Sequence, residues 1–236
     1  MTGTSTPTAS RIVPRTPGRR IAAPAVFGVA YVIVWVLGLS VFPVDLPLDA
    51  PASTIVRAYV ENAIPGTVQY LLAEGVAGVL LGAVLLAFAR TRRDDGMRLP
   101  SLAATAGVIA VAISLAQCSV GLTMIALAPR GVDGPAPALF DLVNGADGVK
   151  MLALALVAAS LALAPSDALP VLLRVLGAAL ALALVASAIP YLLLWGALQG
   201  AAYVSGPLLL LWVAGLGIRT TLVRRRRVTA SLPASR

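Results

Sequence analysis

Few side chains here could do chemistry, and they fall in three groups. Glu74 stands inside the apolar run TVQYLLAEGVAGVLLGAVLLAFA at 67–89, about 23 residues or roughly 34 Å as a helix, enough to cross a bilayer. A carboxylate two turns inside such a run is costly to leave unpaired and is a functional candidate by default; the plainer reading is a side chain that snorkels to the headgroups or bonds across helices. On a helix it shares a face with Leu71, Gly78 and, roughly, Gly82, and the Gly78-xxx-Gly82 spacing suits close packing on a neighbour. The second group is Asp141, Asn144, Asp147 and Lys150, just ahead of another apolar run. Asp147 and Lys150 are spaced i, i+3 and can pair locally. A helix starting near Pro137 would bring these groups to the depth of Glu74, allow a Glu74–Lys150 pair and line a polar cavity. A solvated external helix cap is the plainer alternative. The third group, Ser114, Gln117, Cys118 and Gly121, forms one stripe at i, i+3, i+4 and i+7. Such stripes serve helix–helix packing with interhelical hydrogen bonds, or here a polar lining facing Glu74.

The absent residues exclude more. The chain has no histidine, which removes His-ligated haem, Ser-His and Cys-His nucleophile pairs, His-containing zinc sites and the near-neutral proton switch. Its single cysteine, Cys118, permits no internal disulfide. Catalysis would have to rest on carboxylates alone, and no acid pair stands at a suitable spacing. No enzymatic activity, metal or cofactor is therefore expected.

The elements that position these groups follow from composition. Of 236 residues 59% are hydrophobic and 12% charged, about half the charge of a soluble domain, so lipid is the solvent. The net charge of +8 does not indicate nucleic acid, because the basic residues sit in tails and short loops rather than on one folded face. The fold expected is an all-α polytopic bundle with spans at about 21–42, 67–89, 101–128, 138–164, 171–195 and 201–222. A disordered basic tail at 1–20 precedes the membrane domain 21–222, and a basic tail at 223–236 follows it. The first apolar run exceeds a signal-peptide core and lacks a small-x-small cleavage site, so it reads as an uncleaved span. Between spans one and two, STIVRAYVENA reads as a short amphipathic helix, capped by Ser53 or Thr54 and stopped by Pro65-Gly66, lying on the membrane surface or packed on the bundle. The fourth span can begin anywhere from Ala138 to Gly148.

All but three of the 18 basic residues (Arg57, Arg130 and Lys150) fall on the side of the termini, which places both termini in the cytoplasm of a bacterial inner membrane. Tyr70, Tyr191, Trp195 and Tyr203 then mark the outer interface. Arg224, Arg225, Arg226 and Arg227 read as a stop-transfer signal or as a grip on anionic lipid headgroups, at about 1 kcal/mol per residue. Pro190 and Gly206-Pro207 are expected to kink the last two spans in their outer third. With Glu74 and the Asp141–Lys150 group, these irregularities gather in the outer half, as an outward-opening pocket would require.

This order of features resembles a group of small, uncharacterised six-helix membrane proteins common in actinobacteria. The likeness rests on the proline-ended first span, the external STIVRAYVENA helix, the glycine-rich second span ending ARTRRDDG, and LFDLVNGAD before the fourth. It covers roughly residues 20–220 and implies fold and location but no activity. Two readings of function remain: a small transporter or solute-binding component using Glu74 as candidate proton carrier, or a structural subunit whose polar groups only hold helices together. The partners expected are the lipid bilayer and, for a lone six-span chain, a second copy or a membrane partner protein. Convergence of Glu74, Gln117 and Asp141 or Asp147 on one hydrated cavity would separate the two readings.

Overall fold

The structure, a computed structural model, describes residues 22–94, 101–164 and 169–230; the expected disordered tail at 1–20 lies outside them. Eight α-helices run through these residues: α1 (Ala23–Val41), α2 (Ala52–Glu61), α3 (Ala63–Gln69), α4 (Ala77–Asp94), α5 (Ser101–Leu127), α6 (Ala136–Ala162), α7 (Val171–Leu193) and α8 (Ala202–Ala230). A π-helical segment, Tyr70–Val76, joins α3 to α4 without a break. Counting α3 to α4 as one, six helices are long and apolar enough to cross a membrane.

The boundaries differ from the sequence reading where local chemistry decides them. The break after α2 comes at Asn62, not at Pro65-Gly66. Pro65 falls in the first turn of α3, where its missing N–H leaves no carbonyl unpartnered. The second span therefore starts at Ala63, four residues early. Neither Ser53 nor Thr54 caps α2; Pro51 is its N-cap residue, and its carbonyl accepts from the amides of Thr54 and Ile55. The fourth span starts at Ala136, just after Pro135, and its 27 residues make a helix of about 40 Å. The last helix continues through Arg224–Arg227 to Ala230, so most of the basic tail is helix rather than a separate segment. The segment GALQG between the last two spans lies in a short 3₁₀ helix, Gly196–Ala201.

Each span packs on its chain neighbours, and α8 closes the ring by packing on both α1 and α4. Close approach of α1 and α8 depends on glycine: a Cβ at Gly217 would collide with the carbonyl oxygen of Pro24, and Gly28 lies against Val213 and Ala214. The start of α1 and the end of α8 meet, with the Ala25 amide donating to Thr221 Oγ1 at 3.0 Å. At this end, called proximal below, Phe88, Leu161, Leu173, Trp212 and Leu216 belong to one packed core. A second, smaller core around Ile55, Tyr59, Tyr70, Met124 and Phe140 forms where α2 docks on the opposite, distal end. The surface helix thus packs on the bundle with a buried Ile55–Tyr59 face, and Phe42 stacks on Tyr59 at 5.2 Å between centroids.

Candidate functional site

Between the two cores the ring stays open. A cavity of about 590 Å³ is lined by residues of all six spans, and its walls run from exposed Asp45 and Tyr203 at the distal end down to buried Leu81, Leu154 and Leu209. The loop after α1 and the 3₁₀ segment meet across its mouth, where the Leu48 amide donates to Gln199 Oε1 at 3.0 Å.

The charged groups of the cavity come from the second and fourth spans. Lys150 Nζ lies 2.7 Å from Glu74 Oε2 and 2.6 Å from Asp147 Oδ1. Glu74 Oε2 also accepts from Ser114 Oγ at 2.7 Å. With the Glu74 and Lys150 side chains only 14% and 13% exposed, this is a largely desolvated triad, which holds only when each charge is paired and hydrogen-bonded. Starting at Ala63 and Ala136, the two helices place Glu74 and Lys150 eleven and fourteen residues in, or roughly 16 and 21 Å by α-helical rise. Both are deeper than the solvated cap that was the plainer alternative.

Glu74 sits within the π-helical segment. A π-turn inserts one residue into the helical repeat, re-aims the side chains around it and is found disproportionately at functional sites. Its seat is built by small residues of the facing spans. Tyr70 lies over Gly121, whose missing Cβ makes room for the ring, and Gly75 lies against Cys118. A Cβ at Gly78 would come to 3.0 Å from Ser114 Cβ, whereas one at Gly82 would make only ordinary contact with Val111. The α5 stripe thus packs on the second span and also carries Ser114 to Glu74.

Not every candidate residue arrives at the cavity. Glu74, Ser114, Asn144, Asp147 and Lys150 line it; Gln117 and Asp141 do not. Gln117, 2% exposed, bonds instead across helices, from Nε2 to the Val143 carbonyl at 2.8 Å. Asp141 is exposed on the outside of α6. Asn144 reaches the wall but spends its amide on the Phe140 carbonyl of its own helix. Nor do all the C-terminal arginines face lipid. Arg224 donates from Nε to Thr91 Oγ1 at 3.0 Å and from Nη2 to the Ala87 carbonyl, and Arg227 donates to the Thr91 carbonyl. These two cap the end of α4; Arg225 and Arg226 are exposed.

The aromatic lining was the larger omission. All five tyrosines of the chain, Tyr31, Tyr59, Tyr70, Tyr191 and Tyr203, line this cavity, as does Trp35. Tyr70 is buried rather than interfacial because the early start of α3 draws it two turns in, where its hydroxyl stands 3.5 Å from that of Tyr59. Burial pushes the Tyr59 phenol above its ordinary pKa. The signal for Tyr31 and Trp35 was present: they are spaced i, i+4 in a span otherwise nearly all aliphatic.

Six apolar helices closed into a ring define the class: an integral, multi-pass α-helical membrane protein. Comparison with family models, curated proteins and solved structures finds no match for the chain.

Proposed function

We propose that this protein is a small-solute-binding component of the bacterial cytoplasmic membrane, a small transporter by class, with both termini cytoplasmic and the cavity opening to the outside. The observation that supports this is the convergence of the Glu74–Lys150–Asp147 triad on one cavity bounded by all six spans; Gln117, expected to converge with them, is instead held on the Val143 carbonyl. A cavity of 300–1,000 Å³ with apolar walls and a few polar groups suits a small molecule. The charge distribution supports the orientation, because the arginine-rich end is the closed one. Against a purely structural role stands the choice of partners: helices can be joined at a glycine seam without bringing two acids and a lysine to a cavity wall. No catalytic step is assigned.

Cysteine accessibility tests this reading. In a Cys118→Ser background, Asn144→Cys is exposed to a membrane-impermeant thiol reagent added from outside to intact cells. Modification from outside, absent when the cysteine is placed on the exposed proximal surface at Arg226→Cys, supports the reading. Protection of Asn144→Cys from the reagent on both sides of the membrane would overturn it.

A further inference from the structure

The charge count of the cavity limits what it can hold. Among the described residues that line it, Asp45, Glu74 and Asp147 are acidic, Lys150 is the one basic residue, and none is arginine. Lys150 already engages both deep carboxylates, which leaves little of its charge for an anion. The carboxylates are not used up. Glu74 spends a single oxygen on both Lys150 and Ser114, and Asp147 a single oxygen on Lys150. Glu74 Oε1 and Asp147 Oδ2 have no hydrogen-bond partner among the described residues, and neither is among the fully buried polar atoms left unpartnered. With two carboxylates to one ammonium, this largely buried triad is short of one positive charge.

The walls add an independent constraint. Tyr31 is 3% exposed, lines the cavity together with Glu74 and Lys150, and its hydroxyl has no hydrogen-bond partner among the described residues. Trp35 follows one turn away on α1, with Gly206 opposite leaving room for its ring. Aromatic faces carry negative potential and attract cations, most strongly where water is excluded. A bare metal ion does not fit: no group of three His, Cys, Asp or Glu residues stands close enough to hold one among the described residues. The volume also far exceeds that of an ion.

Resting on the solute-binding reading, we propose that the cavity takes an organic cation: an ammonium or similar monovalent head seated against Glu74 and Asp147, with an apolar or aromatic body along Tyr31, Trp35 and Tyr70. The ligand supplies the missing charge, and Lys150 holds the two acids in place. A proton on Glu74 would satisfy the same deficit, so cation and proton compete for the site.

Three probes of similar size separate the classes: benzyltrimethylammonium, benzyl alcohol and benzylsulfonate, each titrated by calorimetry into the purified full-length protein. Saturable binding of the cation, with roughly tenfold or weaker binding of the other two, is the expected result. Glu74→Gln and Tyr31→Leu should each weaken the cation by a similar factor, and lowering the pH should weaken it in the wild type. Charge selectivity is read on the wild-type chain, so it stands even where a variant does not fold. Preference for the alcohol or the sulfonate would overturn the substrate class and leave the solute-binding reading intact. Binding of none of the three, with Asn144→Cys still labelled from outside, would also overturn the class alone. Loss of that labelling would overturn both.

Discussion

The two ends of the bundle solve the same problem, polar groups in a lipid-facing fold, in opposite ways. At the proximal end Arg224 and Arg227 donate to the carbonyls of Ala87 and Thr91 and to the Thr91 hydroxyl. Cations there meet helix-end acceptors, and the floor between them is packed with Phe88, Trp212 and Leu216. In the distal half two acids share one lysine, carboxylate oxygens are left over, and a cavity opens between the helices. Unpartnered polar atoms occur in both halves, so their presence alone does not mark a site. Trp212 Nε1 is buried without a partner among the described residues, but it is pressed against Gly177, where an added Cβ would come to 3.0 Å of it. A solute has no room there. Reserve bonding capacity becomes a binding site only where a cavity adjoins it.

The contrast is broken most forcefully at Lys150. Lys150→Met leaves Glu74 and Asp147 without their shared counter-charge at largely buried positions, and removing one partner of a buried ion pair costs about 3–5 kcal/mol. Thermal unfolding of the purified variant should show the largest loss of any single change here, partly recovered when Glu74→Gln is added. A variant that melts with the wild type would mean that the triad is hydrated, and the contrast between the ends would fall.

Arg224→Ala tests the other side. It removes bonds from a charged donor to Thr91 and Ala87, worth about 1.5 kcal/mol for a half-buried group. Stability should fall by that amount while affinity for benzyltrimethylammonium stays at the wild-type value. A drop in affinity would show that the two ends are coupled, and the proximal clamp would then be part of the binding mechanism.

Much of this was legible because lipid imposes simple rules. Apolar run length separates the spans, and the small-residue stripe on α5 marks a packing face before any partner is known. The Glu74–Lys150 pair was open as a geometric option but hung on where the fourth helix starts, and Pro135 decides that. For Asp141 and Gln117 the sequence left two alternatives open for one reason: helical spacing tells which residues share a stripe, not what each faces. Gln117 faces the Val143 carbonyl and Asp141 the outside. The π-segment carries no residue signature. It follows from seating the Tyr70 ring over Gly121 while keeping Gly75 and Gly78 against α5, a demand that exists only in the assembled bundle.

The smallest expected effect is also the most local. Gly78 and Gly82 form one small-xxx-small pair in the sequence, yet they do different work. A methyl at Gly82 meets Val111 at 3.4 Å, ordinary contact, and Ala is the better helix former by up to about 1 kcal/mol. Gly82→Ala should leave stability unchanged or raise it slightly. A methyl at Gly78 would instead press on Ser114 Cβ at 3.0 Å, and moving Ser114 lengthens its bond to Glu74 Oε2. Gly78→Ala should therefore weaken cation binding while lowering the melting temperature only modestly, since overpacking of this kind costs about 1–3 kcal/mol. If both variants behave alike, the seam acts as one packing unit and Ser114 does not position Glu74. If they diverge, the glycine at 78 is there for the site, and the glycine at 82 is dispensable to the packing.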